Sequence, residues 1–406
     1  LTTPTVALST PHAAQQAIEA RVARLPTESR GLERCLGQIL REDVYAERDN
    51  PPFDRVCMDG IAIDSASFAA GMRRFRIRGA QPAGAPALTL VTPGDAIEVA
   101  TGAVLPAGAD TVIPLEDYER LDNVAAVRGD ASGKPYRNVA RRGSDSRRDV
   151  PMLAAGARLG APEIAVAAAA GRERVNVARS PRVAVISTGN ELVPPGQPIA
   201  DHQVRDSNAY ALRAALRQHG VADVEGEHVA DDEALLAQSL RRHLVERDMI
   251  VLTGGVSYGK LDLVRAALAV VGVEKVIHQV AQKPGKPMWF GVARDGQPVF
   301  GLPGNPIASL TCLRRYVVPA ILRALDAAPH SPERIALSAA APTARRLTHF
   351  VPVVLRFNED GHTVATPRMP QGSGDFLALA GTDGFVELPP SATDLAAGFV
   401  ADFYRW

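Results

Sequence analysis

Cysteine is scarce in this chain: three in 406 residues, Cys35, Cys57 and Cys312, odd in number and far apart. That excludes a disulfide framework and a CxxC metal site. Net charge is also missing, because 45 Lys and Arg balance 45 Asp and Glu. No overall field draws nucleic acid or an anionic membrane to it. No apolar run approaches the roughly 18–20 residues that span a bilayer. The first residues lack the basic region and apolar stretch of a secretory signal. His-Glu-x-x-His is absent and the histidines show no metal-ligand spacing, so zinc chemistry lacks support. These absences predict a soluble, reduced, cytoplasmic protein with no nucleic-acid or membrane partner. A hydrophobic content of 46% suits sizeable cores, and the length suits about two to three domains.

What the chain does have is punctuation. Residues His12 to Arg24 carry apolar positions at helical spacing behind Pro11. Residues 31–48 continue as an amphipathic stretch, until Asn50-Pro51-Pro52-Phe53-Asp54 forces extended backbone. Between Gly60 and Asp117 lie short β-like runs, Phe75–Arg78, Ile97–Ala100 and Thr111–Pro114, separated by Gly/Pro turns. Residues 137–149, rich in Arg and Asp, read as an exposed loop, and Pro162 to about Gly171 as an alanine-rich helix. Strands at Arg182–Ile186, Met249–Leu252, Lys275–Val280 and Val299–Phe300 then alternate with helices at Ala209–Gln218, Asp232–Glu246, Asp262–Val271 and Ile307–Leu325. That alternation predicts an open, mostly parallel α/β sheet covered on both faces. Beyond Pro332 short strands return, Val351–Phe357, Val364–Pro367 and Gly384–Leu388 among them, which predicts a C-terminal β domain.

Four glycine-rich turns carry the chemistry. They are Ser187-Thr188-Gly189-Asn190-Glu191, Thr253-Gly254-Gly255-Val256-Ser257-Tyr258-Gly259-Lys260-Leu261-Asp262, Lys283-Pro284-Gly285-Lys286-Pro287 and Gly301-Leu302-Pro303-Gly304-Asn305-Pro306. The sequence reading places all four at the carboxyl ends of strands, where open α/β sheets bind ligands and exposed N–H groups bind oxyanions. Gly254-x-x-x-x-Gly259-Lys260 follows a strand and precedes a helix as a P-loop would. It fails at the magnesium ligand, since Leu261 stands where Ser or Thr is needed, although Asp262 follows directly. Lys283 and Lys286 bracket a Pro-Gly pair that holds two ammonium groups on one turn. The turn is either a solvated loop or an anion site.

Carboxylates form the second set. Glu191 follows a strand end, Asp262 opens a helix, and Asp231-Asp232 precede another, where Asp232 reads as a helix cap. Asp59-Gly60 on its own reads as a β-turn.

Taken together these segments resemble the MoeA family, the molybdopterin molybdenumtransferases, whose eukaryotic relative is the E domain of gephyrin. The likeness runs through Pro-Pro-Phe-Asp…Met-Asp-Gly at 51–60, Thr-Gly-Ala-x-x-Pro-x-Gly-Ala-Asp at 101–110 and Arg-Arg-Gly-x-Asp at 141–145. It continues through Ser-Thr-Gly-x-Glu-Leu at 187–192, Gly-Gly-Val-Ser-x-Gly-x-x-Asp at 254–262 and the two proline-glycine turns, and so covers essentially the whole chain. The resemblance implies a multidomain α/β protein: a helical linker domain (1–50 with 147–179), a β-rich domain (51–146), a MogA-like α/β domain (180–328) and a C-terminal β-barrel-like domain (329–406). It implies a homodimer with the active site between the α/β domain of one subunit and the β domain of the other. A MogA-like adenylyltransferase and molybdoenzyme chaperones are the implied protein partners.

The implied reaction inserts molybdate-derived molybdenum into adenylylated molybdopterin and releases AMP, with a divalent cation such as Mg2+. By matching position Asp59, Asp145, Glu191, Asp231 and Asp262 are the implied acidic site residues, with Asp231 and Asp262 holding the metal. Lys283 and Lys286 are the implied oxyanion lysines. Thr188, Gly189, Gly254, Gly255, Ser257, Pro303 and Pro306 line the implied substrate site. Departures from the family pattern gather around the oxyanion. Ile61 stands for a usual Tyr, Asn190 for Asp, Ala308 for Ser, Pro352 for Arg, and Leu377-Ala378 for serines. Either Ser309, Arg345 or Arg346 substitutes, or the oxyanion preference is altered, or the chain is a divergent paralogue. Molybdopterin adenylylation on the same α/β fold and a non-catalytic dimeric scaffold or carrier are the alternative functions.

Overall fold

The apolar run Arg182–Thr188 is buried on both sides: Val183 and Val185 enter one core, Ala184 and Ile186 another. Only a strand inside a sheet with helices on both faces meets that requirement. The computed structural model describes residues 8–255, 261–329, 331–372 and 375–406, with backbone alone at Leu261, Asp262 and Phe376. In it the strand is second in a six-stranded sheet, ordered Asp223–Val229, Arg182–Thr188, Met249–Thr253, Pro298–Leu302, Trp289–Val292, Glu274–His278. The first four run parallel, and the two last pairings are antiparallel.

From Thr188 the chain passes through helix Ser207–Gln218, on the face of Val183 and Val185, to the edge strand Asp223–Val229. It returns through helix Glu233–Glu246 on the opposite face and crosses to Met249–Thr253 on the other side of the first strand. Strand order therefore reverses between Arg182–Thr188 and Met249–Thr253, which opens a crevice at their carboxyl ends.

Two strands of this sheet have no signature in the sequence reading. Asp223–Val229 is an edge strand whose alternate residues Asp223, Glu225 and Glu227 face arginines, so it shows no apolar run. Trp289–Val292 is the antiparallel partner of Pro298–Leu302 across a short hairpin. The expected single helix Ile307–Leu325 is interrupted. Helix Pro306–Cys312 passes through a wide π turn, Leu313–Val317, into helix Val318–Ala324, with Pro319, which lacks an N–H, at the junction.

The N-terminal β region is a six-stranded sheet in the order Thr111–Pro114, Gly60–Ile63, Asp95–Val99, Arg74–Gln81, Val124–Val127, Tyr118–Leu121. Residues 31–48 do not continue the first helix. Gly37 has φ +77°, and the segment holds one 3-10 turn, Leu32–Arg34, and the strand Val44–Tyr45. Segments far apart in sequence pair here, Thr27–Gly31 with Arg174–Ala178 and Val44–Tyr45 with Pro151–Leu153. Helix Pro11–Glu19 packs through Ala14 and Ile18 into the core of the α/β sheet.

The C-terminal strands Glu333–Leu337, Thr348–Phe357, Thr363–Pro367, Gly384–Leu388 and Val400–Arg405 close on themselves into a five-stranded barrel. Arg315, 3% exposed, anchors the barrel to the α/β domain, its Nε donating to Glu387 at 2.8 Å. Backbone pairing of Gln282–Lys283 with Thr348–His349 joins the two domains directly. Among the described residues no helix is long and apolar enough to cross a membrane.

Candidate functional site

Three of the four glycine turns meet at the crevice. Gly254 (φ +90°) lies so close to the first strand that a Cβ on it would stand 2.5 Å from the Thr188 carbonyl oxygen. A Cβ on Gly255 would stand 2.9 Å from Thr188 Oγ1. Asn208 ties the neighbouring loops together, its Nδ2 donating to Thr253 Oγ1 at 3.1 Å and to the Gly304 carbonyl at 2.9 Å. Asn305 caps helix Pro306–Cys312 through Ala308 N at 3.0 Å, with Pro306 in the first helical turn behind buried Pro303. Ser187 donates to Asp206 at 2.6 Å, and Asp206 caps helix Ser207–Gln218, so the strand end and the helix start are locked together.

Among the described residues of this crevice one buried hydroxyl stands out. Thr188 is 2% exposed, and its Oγ1 has no hydrogen-bond partner among the described residues. A buried hydroxyl without a partner costs about 1–3 kcal/mol. The two glycines put no Cβ against it, as an oxyanion cradle requires. Val256, Ser257 and Lys260 lie outside the described residues.

Acidic groups stand at the same end of the sheet. The Glu191 carboxylate folds over Gly189, within 2.8–2.9 Å of where a Cβ would sit at φ +147°. Asp231 is half-buried, and its N–H donates to Asn190 Oδ1 at 3.0 Å. Asp232 accepts from Leu235 N at 2.9 Å and is the helix cap its sequence position suggests. Asp262 occupies the second position of helix Leu261–Val270, and its side chain lies outside the described residues. A magnesium ion retains several waters and needs only one or two carboxylates plus substrate phosphates. Glu191 and Asp231 bring carboxylate oxygens to this end of the sheet, a donor chemistry that suits such an ion. The three-residue group of potential ligands among the described residues lies elsewhere, at Glu225, His243 and Glu246 near the edge strand. There Arg242 and Arg247 both engage Glu225, and their charge opposes a cation.

The lysine turn departs from the expected placement. It extends not from the α/β sheet itself but from the Gln282–Lys283 strand bound to the barrel. A buried network shapes it. Gln282 Nε2 donates to the Gly285 carbonyl at 3.1 Å and to Cys312 Sγ at 3.3 Å, while Tyr316 donates its hydroxyl to Gln282. Lys283 lines a cleft of about 430 Å³ between the α/β domain and the barrel, together with Asn305, His349, Phe350 and Pro352. Lys286 is exposed and is not among the residues lining that cleft. Asn305 borders both the cleft and the Gly304 loop, so crevice and cleft adjoin. Ser309 is no replacement for the missing hydroxyl at Ala308. It is 1% exposed and its Oγ pairs with Thr253 Oγ1 at 3.3 Å.

Asp59 and Asp145 stay on the N-terminal region. Asp59 is exposed and accepts from Thr101 N at 2.6 Å and Thr101 Oγ1 at 2.8 Å, and these bonds hold its carboxyl below the usual range. Gly60 beside it is required by packing, since a Cβ would stand 2.0 Å from the Ile113 carbonyl oxygen. Asp145 accepts from Ser144 Oγ at 3.0 Å, and its N–H donates to the Asn50 carbonyl. The hydrogen bonds of these two residues all remain within the N-terminal region. Asn208, His349 and the Gln282–Tyr316 pair were missed from sequence. Asn208 and Gln282 bond to residues tens of positions away, and His349 bonds a backbone carbonyl seven residues back, so none of them belongs to a motif; only the Asn305 cap stood inside a visible one.

Comparison with known proteins covers most of the chain. Residues 9–171 match the MoeA N-terminal region (domain I and II), 184–323 a probable molybdopterin binding domain, and 334–406 the MoeA C-terminal region (domain IV). A molybdopterin molybdenumtransferase of Synechocystis sp. is 36% identical over 97% of this chain and 99% of its own. Molybdopterin molybdenumtransferase 2 of Mycobacterium tuberculosis is 31% identical over 90% and 92%. The crystal structure of a molybdopterin biosynthesis MoeA protein from Pyrococcus horikoshii superposes with a TM-score of 0.79 at 32% identity, covering 98% of this chain and 99% of that one. On sequence, domain content and fold alike, the chain belongs to the MoeA family.

Proposed function

We propose that this chain is a molybdenum cofactor biosynthesis enzyme that inserts molybdenum from molybdate into adenylylated molybdopterin and releases AMP. The observation that carries the reading is the junction at Asn305 of two anion-suited spaces: the glycine crevice, whose Thr188 hydroxyl has no partner among the described residues, and the cleft holding Lys283. A substrate carrying a phosphoanhydride and an incoming oxyanion need two such spaces side by side. Gly189, Gly254 and Gly255 let phosphate oxygens approach backbone N–H groups, and Thr188 Oγ1 donates to one of them. Lys283 holds the tetrahedral dianion by charge-assisted hydrogen bonds, with Lys286 as an outer contact. Pro303 and Pro306 fix the loop that carries Asn305.

Magnesium, held by Asp231 and Asp262 with Glu191 nearby, would supply Lewis-acid polarisation of the phosphoanhydride. The proposal includes a homodimer. In that dimer Asp59, kept ionised by Thr101, and Asp145, whose hydrogen bonds stay within the N-terminal region, would face the crevice of the second copy, where Asp59 serves in proton transfer or metal positioning. The four-part division of the chain given above belongs to the same reading.

The test is AMP release by the purified chain given adenylylated molybdopterin and magnesium. Release is expected only when molybdate is added. Bound substrate without AMP release rejects the proposal. Lys283→Ala should weaken molybdate binding by about 1.5–3 kcal/mol and pterin binding by less. Equal losses reject the assignment of the lysine.

A further inference from the structure

We propose that His349 is a second recognition group of the Lys283 cleft, and that a tetrahedral dianion entering it is bound together with one proton taken up by the imidazole. The inference rests on the functional reading above and adds to it a residue and a linkage.

The geometry begins with register. Lys283 and His349 are directly paired across adjoining parallel strands, and both line the 430 Å³ cleft. His349 is 5% exposed. Its Nδ1 lies 2.7 Å from the Pro342 carbonyl oxygen, which can only accept. Nδ1 therefore carries the ring hydrogen, and Nε2 is the nitrogen left over. No hydrogen-bond partner of Nε2 stands among the described residues. Beyond the neutral amides of Asn305 and Gln371, the other walls offer an oxyanion little: Pro352 has no N–H, and Phe350, Val351 and Met369 are apolar.

The charges around the ring keep it neutral while the cleft is empty. Burial is the largest influence holding the imidazole below its usual range; the Pro342 hydrogen bond opposes it and the Lys283 charge adds to it. Of the strand on the other side, Leu388 is the residue opposite His349. Glu387, opposite Phe350, is engaged by Arg315 and offers no counter-charge. The turn before His349 brings only the exposed cations Arg345 and Arg346, and the stretch Met369–Gly372 brings no charge.

A dianion between Lys283 and His349 reverses the balance. It neutralises the ammonium, favours imidazolium at Nε2, and receives a second charge-assisted hydrogen bond. One proton moves from solvent to Nε2, and no covalent bond in the oxyanion forms or breaks. Affinity for the dianion should then fall as pH rises, about ten-fold for each unit by which the anion lifts the pKa of the imidazole.

The experiment is calorimetric titration of the full chain with sodium molybdate at pH 7 in buffers of different ionisation enthalpy, repeated from pH 6 to 8.5. Molybdate stays a dianion across that range, so the proton counted belongs to the protein. Measurable proton uptake by the wild type, lost in His349→Gln along with most of the pH dependence of affinity, is the expected result. Molybdate binding without uptake overturns the proposal and leaves the functional reading standing, as does uptake retained in a folded His349→Gln. No molybdate binding by the wild type overturns both. Should His349→Gln fail to fold, the wild-type uptake alone decides.

Discussion

Gly285→Ala is the most direct test of how the lysine turn is held. The glycine has φ +91°, a region that costs an L-residue about 1–2 kcal/mol. Its new Cβ would lie 2.5 Å from Cys312 Sγ and 2.6 Å from Gln282 Nε2. Both neighbours are buried, Cys312 so completely that burial pushes its thiol up to about 12. Overpacking of this kind costs about 1–3 kcal/mol, so the two effects sum to about 2–5 kcal/mol. They separate in a double-mutant cycle. Cys312→Ala removes the sulfur that the Cβ meets while leaving φ unchanged. In that background Gly285→Ala should cost about 1–2 kcal/mol less, the residue being backbone strain and the Gln282 contact. The assay is thermal unfolding by calorimetry, in which each kcal/mol moves the midpoint of a domain this size by about 2–4 °C. The same variants should weaken molybdate binding through displacement of Lys283. A Gly285→Ala protein as stable as wild type, or a cost unchanged by Cys312→Ala, refutes the account of the network.

Asp248 joins Arg179 and Arg182 with contacts from 2.7 Å, and its carboxyl is held at about 2. Burial alone would raise it, and the arginine hydrogen bonds outweigh that. A depressed carboxylate contributes stability above its unfolded pKa and loses it as pH falls toward the folded value. Asp248→Asn should therefore cost about 1.5–3 kcal/mol at neutral pH, with the gap to wild type closing between about pH 4 and pH 2 in urea unfolding. His219 runs the other way. Burial, with Arg314 and Arg158 adding to it, lowers its pKa to about 4. The unfolded chain binds that proton first, so wild-type stability should decline as pH drops from about 6.5 to about 4. His219→Gln should flatten that slope, and an unchanged slope would show that other groups set it. Thr101→Val removes one of the two donors to Asp59, and NMR titration should then find the Asp59 carboxyl raised; no rise would remove Thr101 Oγ1 as a cause.

The parts of the fold visible in the sequence are those where one local requirement dominates. Arg182–Thr188 and Met249–Thr253 are apolar on both faces, and nothing but a central strand accepts that pattern. Asp223–Val229 was invisible because its outward residues are paid for by salt bridges from the next helix, a tertiary fact with no local trace. The stretch 31–48 looked amphipathic because it covers a core, but the core lies under β pairings to residues more than a hundred positions later. Helix Pro306–Cys312 was legible at its Asn-Pro start and not at its wide turn, where the geometry answers to Pro319 and the packing around it.

The site divides along the same line. The crevice is made by backbone: Gly254 and Gly255 must be glycine because Thr188 stands 2.5–2.9 Å from their missing Cβ atoms. Residues so constrained form readable motifs, and Thr188, Gly189, Gly254, Gly255, Pro303 and Pro306 all stand in the glycine-rich turns of the sequence. The cleft beside it is made by side chains from two domains, and no backbone constraint dictates which of them donates a hydrogen bond. That is why the departures at Ala308 and Pro352 are tolerated by the fold, and why His349 and Gln282 carry no motif. On the proposed assignment, a rigid backbone cradle coupled to a substitutable side-chain cleft would let the binding of the phosphate-bearing substrate stay fixed while oxyanion selection changes. Exchanges confined to the cleft, such as Pro352→Arg, should accordingly alter molybdate affinity while leaving pterin affinity within about two-fold, and a parallel change in both would show that the two spaces are not separable.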